Sequence, residues 1–243
     1  MRKLLAVLSS IFIFATFHTQ SWMDLGLKGG YGTSILTNNN IWDDSDYNHQ
    51  ISGSYCFGGK IGLNFNENHE VTFDIMYNEF NQNFLYNFYD SITESSPLYK
   101  SSISYHSLSY ILMYRHNKEG RYSEIGTSVE TILKVNRKDE IDYFQGIAIA
   151  KNDFIANQAN IVAGFGAYLL GSENFGVTTG IRISYGLKDL ISLAGQNKSL
   201  PTFKNYESYN ASHPLSIIFI IEANFDFAYV AKAQCSRRKL IFF

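Results

Sequence analysis

The sequence predicts an all-β chain folded as an eight-stranded antiparallel up-and-down barrel. Two observations carry that expectation. Runs of alternating apolar and polar residues recur along the chain, and the gaps between them are alternately short and long. Asn66–His69, Asn117–Gly120 and Gly171–Asn174 are short and polar, whereas the gaps near 36–51, 83–101, 134–155 and 189–213 are long and rich in Asn, Ser, Tyr and charge. Strands joined by tight turns at one end and long loops at the other form the pattern of a transmembrane barrel in a bacterial outer membrane.

The first residues fit an exported protein. Arg2-Lys3 precede an uncharged stretch from Leu4 to Phe17, and charge returns at Asp24. A basic start, a short apolar core and a polar exit describe a secretory signal peptide. The stretch is shorter than the roughly 20 residues that a membrane helix needs. A cleaved signal over residues 1–21 is therefore expected, with a barrel over 22–227 and a periplasmic tail over 228–243. Arg2 and Lys3 leave with the signal, which takes the net charge from −2 to about −4. No basic patch stands out on the predicted strands, so nucleic acid is not an expected partner.

The strands follow by period two, since side chains alternate faces along a strand. The first, about 23–35, sets Leu25, Leu27 and Tyr31 against Asp24 and Lys28. The second sets Tyr55, Phe57, Ile61, Leu63 and Phe65 against small or polar neighbours. The third sets Val71, Phe73, Ile75 and Tyr77 against Glu70, Thr72, Asp74 and Asn78. The fourth sets Leu108, Tyr110, Leu112 and Tyr114 against Ser107, Ser109 and Arg115. The fifth sets Ile125, Thr127, Val129 and Leu133 against Glu124, Gly126, Ser128 and Glu130. The sixth sets Ile161, Ala163 and Phe165 against Asn160, Gly164 and Gly166. The seventh sets Ile181, Ile183 and Tyr185 against Gly180, Arg182 and Ser184. The eighth runs from Leu215 to Phe227 with Ser216, Glu222, Asn224 and Asp226 opposite.

The apolar face could point into a soluble core or out to lipid. Predicted lengths of about 12–14 residues favour lipid, because soluble strands cluster near 5–6. So do the Gly and Ser between the charges, which suit a narrow, crowded lumen. The 19 Phe and 17 Tyr, against 17% charged residues, match a barrel with aromatic girdles. An even strand number puts both termini and the tight turns in the periplasm and the long loops outside.

An eight-stranded lumen is filled by side chains, and buried charges there need partners. Hairpin register is expected to bring Lys60 near Asp74, Arg115 near Glu124 and Arg182 near Glu222 as a structural ion-pair network. Catalytic constellations are poor: His106 falls on the face opposite Ser107 and Ser109. Neither a cofactor nor a metal is expected, the nearest candidate being a weak cation site at Asp43, Asp44, Asp46 and His49. Cys56 and Cys235 offer no disulfide framework. The aromatics Phe84, Tyr86, Phe88, Tyr89 and Tyr99 crowd the second long loop. They are candidates for an outer girdle or for a protein- or glycan-binding surface.

Gly26-Leu27-Lys28-Gly29-Gly30-Tyr31-Gly32 resembles the opening strand of small outer-membrane barrels of the PorT-like group. Gly180-Ile181-Arg182-Ile183-Ser184-Tyr185-Gly186-Leu187-Lys188-Asp189 resembles that group's seventh strand. The likeness, shared with OmpA-OmpX-like eight-stranded barrels, covers the mature chain and concerns construction rather than chemistry. It implies an outer-membrane barrel with no catalytic residues to transfer. Outer-membrane lipid and the insertion machinery are its implied partners, and some members assist secretion. The expected function is thus a non-catalytic barrel, structural or displaying loops. The alternatives are an accessory of a secretion or transport complex and a barrel hydrolase acting on lipid or peptide.

Overall fold

The computed structural model describes residues 21–87, 98–140, 149–171, 174–202, 204 and 206–231, with side chains to 227. Residues 1–20, which hold most of the expected signal, and 232–243, most of the expected tail, lie outside the described residues. Nine strands are present: β1 (Ser21–Thr37), β2 (Tyr47–Gln50), β3 (Ser52–Asn66), β4 (His69–Asn87), β5 (Leu98–Lys118), β6 (Arg121–Asp139), β7 (Asn157–Gly171), β8 (Phe175–Gly186) and β9 (His213–Ala231). Two single-turn helices, α1 (Asn39–Trp42) and α2 (Leu193–Gln196), lie in the first and last long connections.

Every pairing is antiparallel. The sheet runs β4-β3-β1-β9-β8-β7-β6-β5, and β5 pairs back onto β4 to close a ring of eight. β2 is extra: it adds to the outer stretch of β4 in register Tyr47↔Tyr86. Closure leaves no free edge in the ring, as crossing a bilayer requires.

Three boundaries differ from the expectation, one being β6, which runs on to Asp139 and into the third long gap. The strands around the second loop are longer: β4 has 19 residues and β5 has 21, paired out to Asn87↔Leu98. The alternation continues there, with Gln82, Phe84 and Tyr86 inward. The outward residues turn to Asn and Ser, and that composition reads as loop. The last strand also passes Phe227. Pairing continues through Trp22↔Tyr229 to Ser21↔Ala231, across two register shifts at which Phe227 and Val230 are the extra residues in β9.

The outer surface is apolar. Leu27 is 69% exposed, Phe165 57% and Phe219 50%, within a belt that circles the ring. On β9 the outward residues Leu215 to Phe227 cover twelve residue steps, about 28 Å of height at 3.3 Å per residue and a tilt near 45°. Tyr31 and Tyr55 face each other across β1 and β3 at the loop end, and the Phe175 and Phe225 rings meet at 4.8 Å at the turn end. These are the aromatic girdles of such a belt.

Candidate functional site: a lumen filled in layers

The strands near the tight turns project charge inward. Lys28, Lys60, Arg115 and Arg182 meet Asp24, Glu70, Asp74, Glu124 and Glu222 in one connected cluster. Arg115 is its centre. Its Nε and Nη2 donate to Glu124 Oε2 at 3.1 and 2.9 Å, and Nη1 and Nη2 donate to Glu222 at 2.9 and 2.8 Å. The guanidinium also lies 4.3 Å from the centre of the Tyr122 ring.

All six residues of the expected network are buried in this cluster, but two of the three expected contacts are different. Lys60 does pair with Asp74 in backbone register, yet its ammonium sits on Glu70 (2.5 Å), Glu222 (2.9 Å) and Asp24 (3.2 Å). Asp74 instead takes Lys28 at 2.6 Å and Arg182 at 3.0 Å. Arg182 reaches Glu124 at 2.9 Å rather than Glu222. Only the Arg115–Glu124 pair follows its hairpin. The barrel is narrow enough for long basic side chains to cross it, so the nearest acid is often on the far wall. Lys28 and Asp24, from β1, and Glu70, from β4, are the members that hairpin reasoning omitted.

Beyond the charges lies an apolar layer of Cys56, Met76, Ile111, Met113, Val162, Ile218 and Ile220. Apolar side chains on both faces at Tyr110–Met113 and Ile217–Ile221 were the sequence signal for it. Next comes a cavity of about 70 Å³ lined by Asn78, Ser109, Ser128, Glu130, Asn160 and Ser216 among others. Glu130 is buried there and accepts from Ser107 Oγ and from Asn160 Nδ2, the latter at 3.2 Å. Among the described residues it has no basic partner within 4 Å.

The mouth is closed by a second apolar core: Leu36, Ile41, Phe80, Phe84, Ile103, Tyr105, Ile132, Phe154, Leu190, Ile191 and Leu200. Within it Phe80 and Tyr105 stack at 4.8 Å. Phe84 and Tyr86, expected to present a loop surface, are 1% and 3% exposed. They are inward strand residues: Phe84 lies against His49 at 5.3 Å, and Tyr86 stacks on Tyr47 and meets Tyr99. Tyr99 is half-buried, while Phe88 and Tyr89 lie outside the described residues.

Hydrogen bonds join the long connections over this core. Asn38 Nδ2 donates to Asn210 O at 2.8 Å, Tyr47 Oη to Thr202 O at 2.8 Å, and Arg137 Nη1 to Pro201 O at 2.6 Å. Lys198 pairs with Asp153 at 2.7 Å. The acidic cluster of the first loop is occupied by a side chain: Lys204 lies 2.8 Å from Asp44 and 2.9 Å from Asp46. Burial pushes the Asp44 carboxyl up, but hydrogen bonds from Lys204, the Asp46 N–H and Tyr206 outweigh it and hold the group below the usual carboxylate range. The same bonds to Asp44 and Asp46 raise the Lys204 ammonium. No group of three or more His, Cys, Asp or Glu is arranged to hold a metal among the described residues. His106 sits on the outer face, 3.6 Å from Glu79, while Ser107 and Ser109 are buried inside, so these three cannot act together as a hydrolytic set.

Lipid-facing apolar residues surround a charged interior within a closed ring of strands. The chain is a transmembrane β-barrel of the outer-membrane type. No family model and no curated protein matches it. Among solved structures it is similar to the outer membrane protein OprG from Pseudomonas aeruginosa, at 8% identity over 86% of this chain and 96% of that one, with a TM-score of 0.41. It is similar to Neisserial surface protein A at 9% identity, 84% and 97% coverage, TM-score 0.40. It is also similar to the outer membrane protease OmpT from Escherichia coli at 9% identity, 86% and 96% coverage, TM-score 0.34. The closed ring of eight paired strands defines the fold.

Proposed function

We propose that this barrel is sealed and non-catalytic, and that it acts through the cap formed by its long loops on the cell surface. One observation carries this reading: between the charged cluster and the loops the lumen is filled, and the open space of about 430 Å³ at the turn end stops at that cluster. A charged cluster, an apolar layer and a loop core follow one another, and the cavity between them holds only about 70 Å³. A solute has no continuous polar route past two apolar layers, and ions shed hydration at high cost in such surroundings. What remains available to a partner is the cap. It exposes Trp42 (55%) and Leu193 (77%), both on its single-turn helices, and large exposed side chains on a rigid support are the usual anchors of recognition.

Planar-bilayer recording of the full barrel tests the seal. The expected record is a quiet baseline after insertion, and steady single-channel conductance would overturn the reading. Photo-crosslinking from position 42 in intact cells tests the cap. Discrete protein or glycan adducts support it, and the absence of any adduct above that from a lipid-facing position such as Phe165 counts against it.

A further inference from the structure

β5 and β6 continue past the apolar belt, and their outward face changes character there. The belt ends at Leu108 and at Leu133, the extra residue of a bulge in β6. Above it, cross-strand rows pair His106↔Lys134, Ser104↔Asn136 and Ser102↔Lys138. The inward neighbours Ser101, Ile103, Tyr105 and Ser107 are buried, so all six of these residues face sideways, away from the lumen. Lys134 and Lys138 are exposed. Neither ammonium has a carboxylate within 4 Å among the described residues. The nearby acids are otherwise engaged: Glu79 accepts from Asn81 at 3.1 Å and faces His106, and Glu140 accepts from the Lys100 N–H at 2.9 Å.

We propose that this face binds the headgroup of a phosphorylated glycolipid in the outer leaflet. The assignment rests on the outer-membrane reading, which sets the face at headgroup height beside the belt. Two ammonium groups without a carboxylate partner among the described residues supply charge complementary to phosphate, while hydroxyls and an amide between them suit sugar hydroxyls. Lys134 and Lys138 are four residues apart on one strand, about 13 Å, a spacing suited to a disaccharide with a phosphate at each end. The face is continuous with the belt, so acyl chains would lie along Leu108 and Leu133 below. A soluble protein partner would find this surface hemmed in by lipid.

The test uses the full barrel in detergent, titrated with bisphosphorylated lipid A and with the same lipid after enzymatic dephosphorylation, bound lipid being counted by native mass spectrometry. A basic side chain near an anionic lipid surface strengthens attraction roughly fivefold. The K134A/K138A double variant is therefore expected to lose about twenty-five-fold in affinity for the phosphorylated lipid and nothing for the dephosphorylated one. Equal binding of the two lipids, or an unchanged affinity in the double variant, would overturn the proposal. So would displacement by millimolar inorganic phosphate, which would mark a generic anion site. Insertion into phosphatidylcholine vesicles, scored by heat-modifiable mobility, is the separate check on membrane placement. A wild-type barrel that does not insert refutes that placement and the lipid site with it, whereas insertion without lipid A selectivity refutes the lipid site alone.

Discussion

Replacing Arg115 by Met tests whether the charged cluster holds the barrel together. The guanidinium makes four hydrogen bonds to Glu124 and Glu222 and lies 3.6 Å from Glu70. In the wild type, Lys28, Lys60, Arg115 and Arg182 face five carboxylates, so the cluster carries one excess negative charge. R115M doubles that excess in surroundings of low dielectric. Removing one partner from a buried ion pair costs about 3–5 kcal/mol. The lower end applies, because Glu124 keeps Arg182, Glu222 keeps Lys28 and Lys60, and Glu70 keeps Lys60. A loss of about 3 kcal/mol lowers the folding equilibrium constant roughly a hundredfold. Urea unfolding of the barrel in phospholipid vesicles, followed by tryptophan fluorescence, reads this directly. The rescue sharpens the test. R115M/E222Q returns the cluster to one excess charge, and it is expected to recover at least 1 kcal/mol of the loss. If R115M unfolded within about 1 kcal/mol of the wild type, or if the double variant were no more stable than the single, an electrostatic role for the cluster would be refuted.

Other perturbations read other layers. E130Q keeps the geometry of the Ser107 and Asn160 contacts and removes a buried carboxyl that has no basic partner within 4 Å among the described residues, so E130Q is expected to be as stable as the wild type or more so, and E130A less. A clear loss of stability in E130Q would show that the charge itself is needed. A Cβ at Gly126 would lie 2.1 Å from Leu112 O and 2.8 Å from Met113 Cγ. G126A must therefore move backbone and is expected to cost about 1–3 kcal/mol in the same unfolding assay, whereas G171A, with nothing within 4 Å, should be silent. The Asp44–Lys204 contact gives the cap a pH dependence. The folded pKa of Asp44 lies below the ordinary 3.8, so its contribution is present above pH 3.8 and is lost as pH falls through the lower folded value. Lys204 is 42% exposed, which limits the effect to at most about 1 kcal/mol. Protection of the Asp46 N–H against hydrogen exchange, relative to its intrinsic rate at each pH, depends on its bond to Asp44 Oδ1 at 3.0 Å; it is expected to fall only as pH drops below 3.8 through the lower folded value in the wild type, and to be low at all pH values in D44A.

The ring of strands was legible because lipid is an unforgiving solvent. Ile181, Ile183 and Phe219 must face out, and Arg182 and Glu222 must face in, so a period of two survives in the chain wherever the belt lies. Above the belt that pressure ends. Outward Asn81, Asn83, Ser102 and Ser104 look like loop residues, although their strands continue, and Phe84 and Tyr86 therefore read as surface when they are inner wall. The cross-barrel contacts were hidden for another reason. Hairpin register specifies only adjacent strands, while Arg182 on β8 finds Asp74 on β4 through the lumen. The seal at the mouth draws on Leu36, Phe154, Leu190 and Leu200, which are far apart in sequence and share no periodicity.

The order of the layers bears on where specificity lies. The charged cluster satisfies itself: each of its four cations touches at least two carboxylates, which leaves little freedom for an inner site that exchanges ligands. The mouth core is likewise committed to packing, since eleven buried side chains from four strands and the long connections meet there. Fully burying one such side chain is worth about 1.5–3 kcal/mol, so opening the mouth would expose several at once and would compete with the stability of the whole cap. A barrel with both ends fixed in this way can vary its outside without risk to its fold. On the proposed function, the outward residues above the belt and the exposed residues of α1 and α2 are where a substitution would alter recognition while leaving the lumen core unchanged.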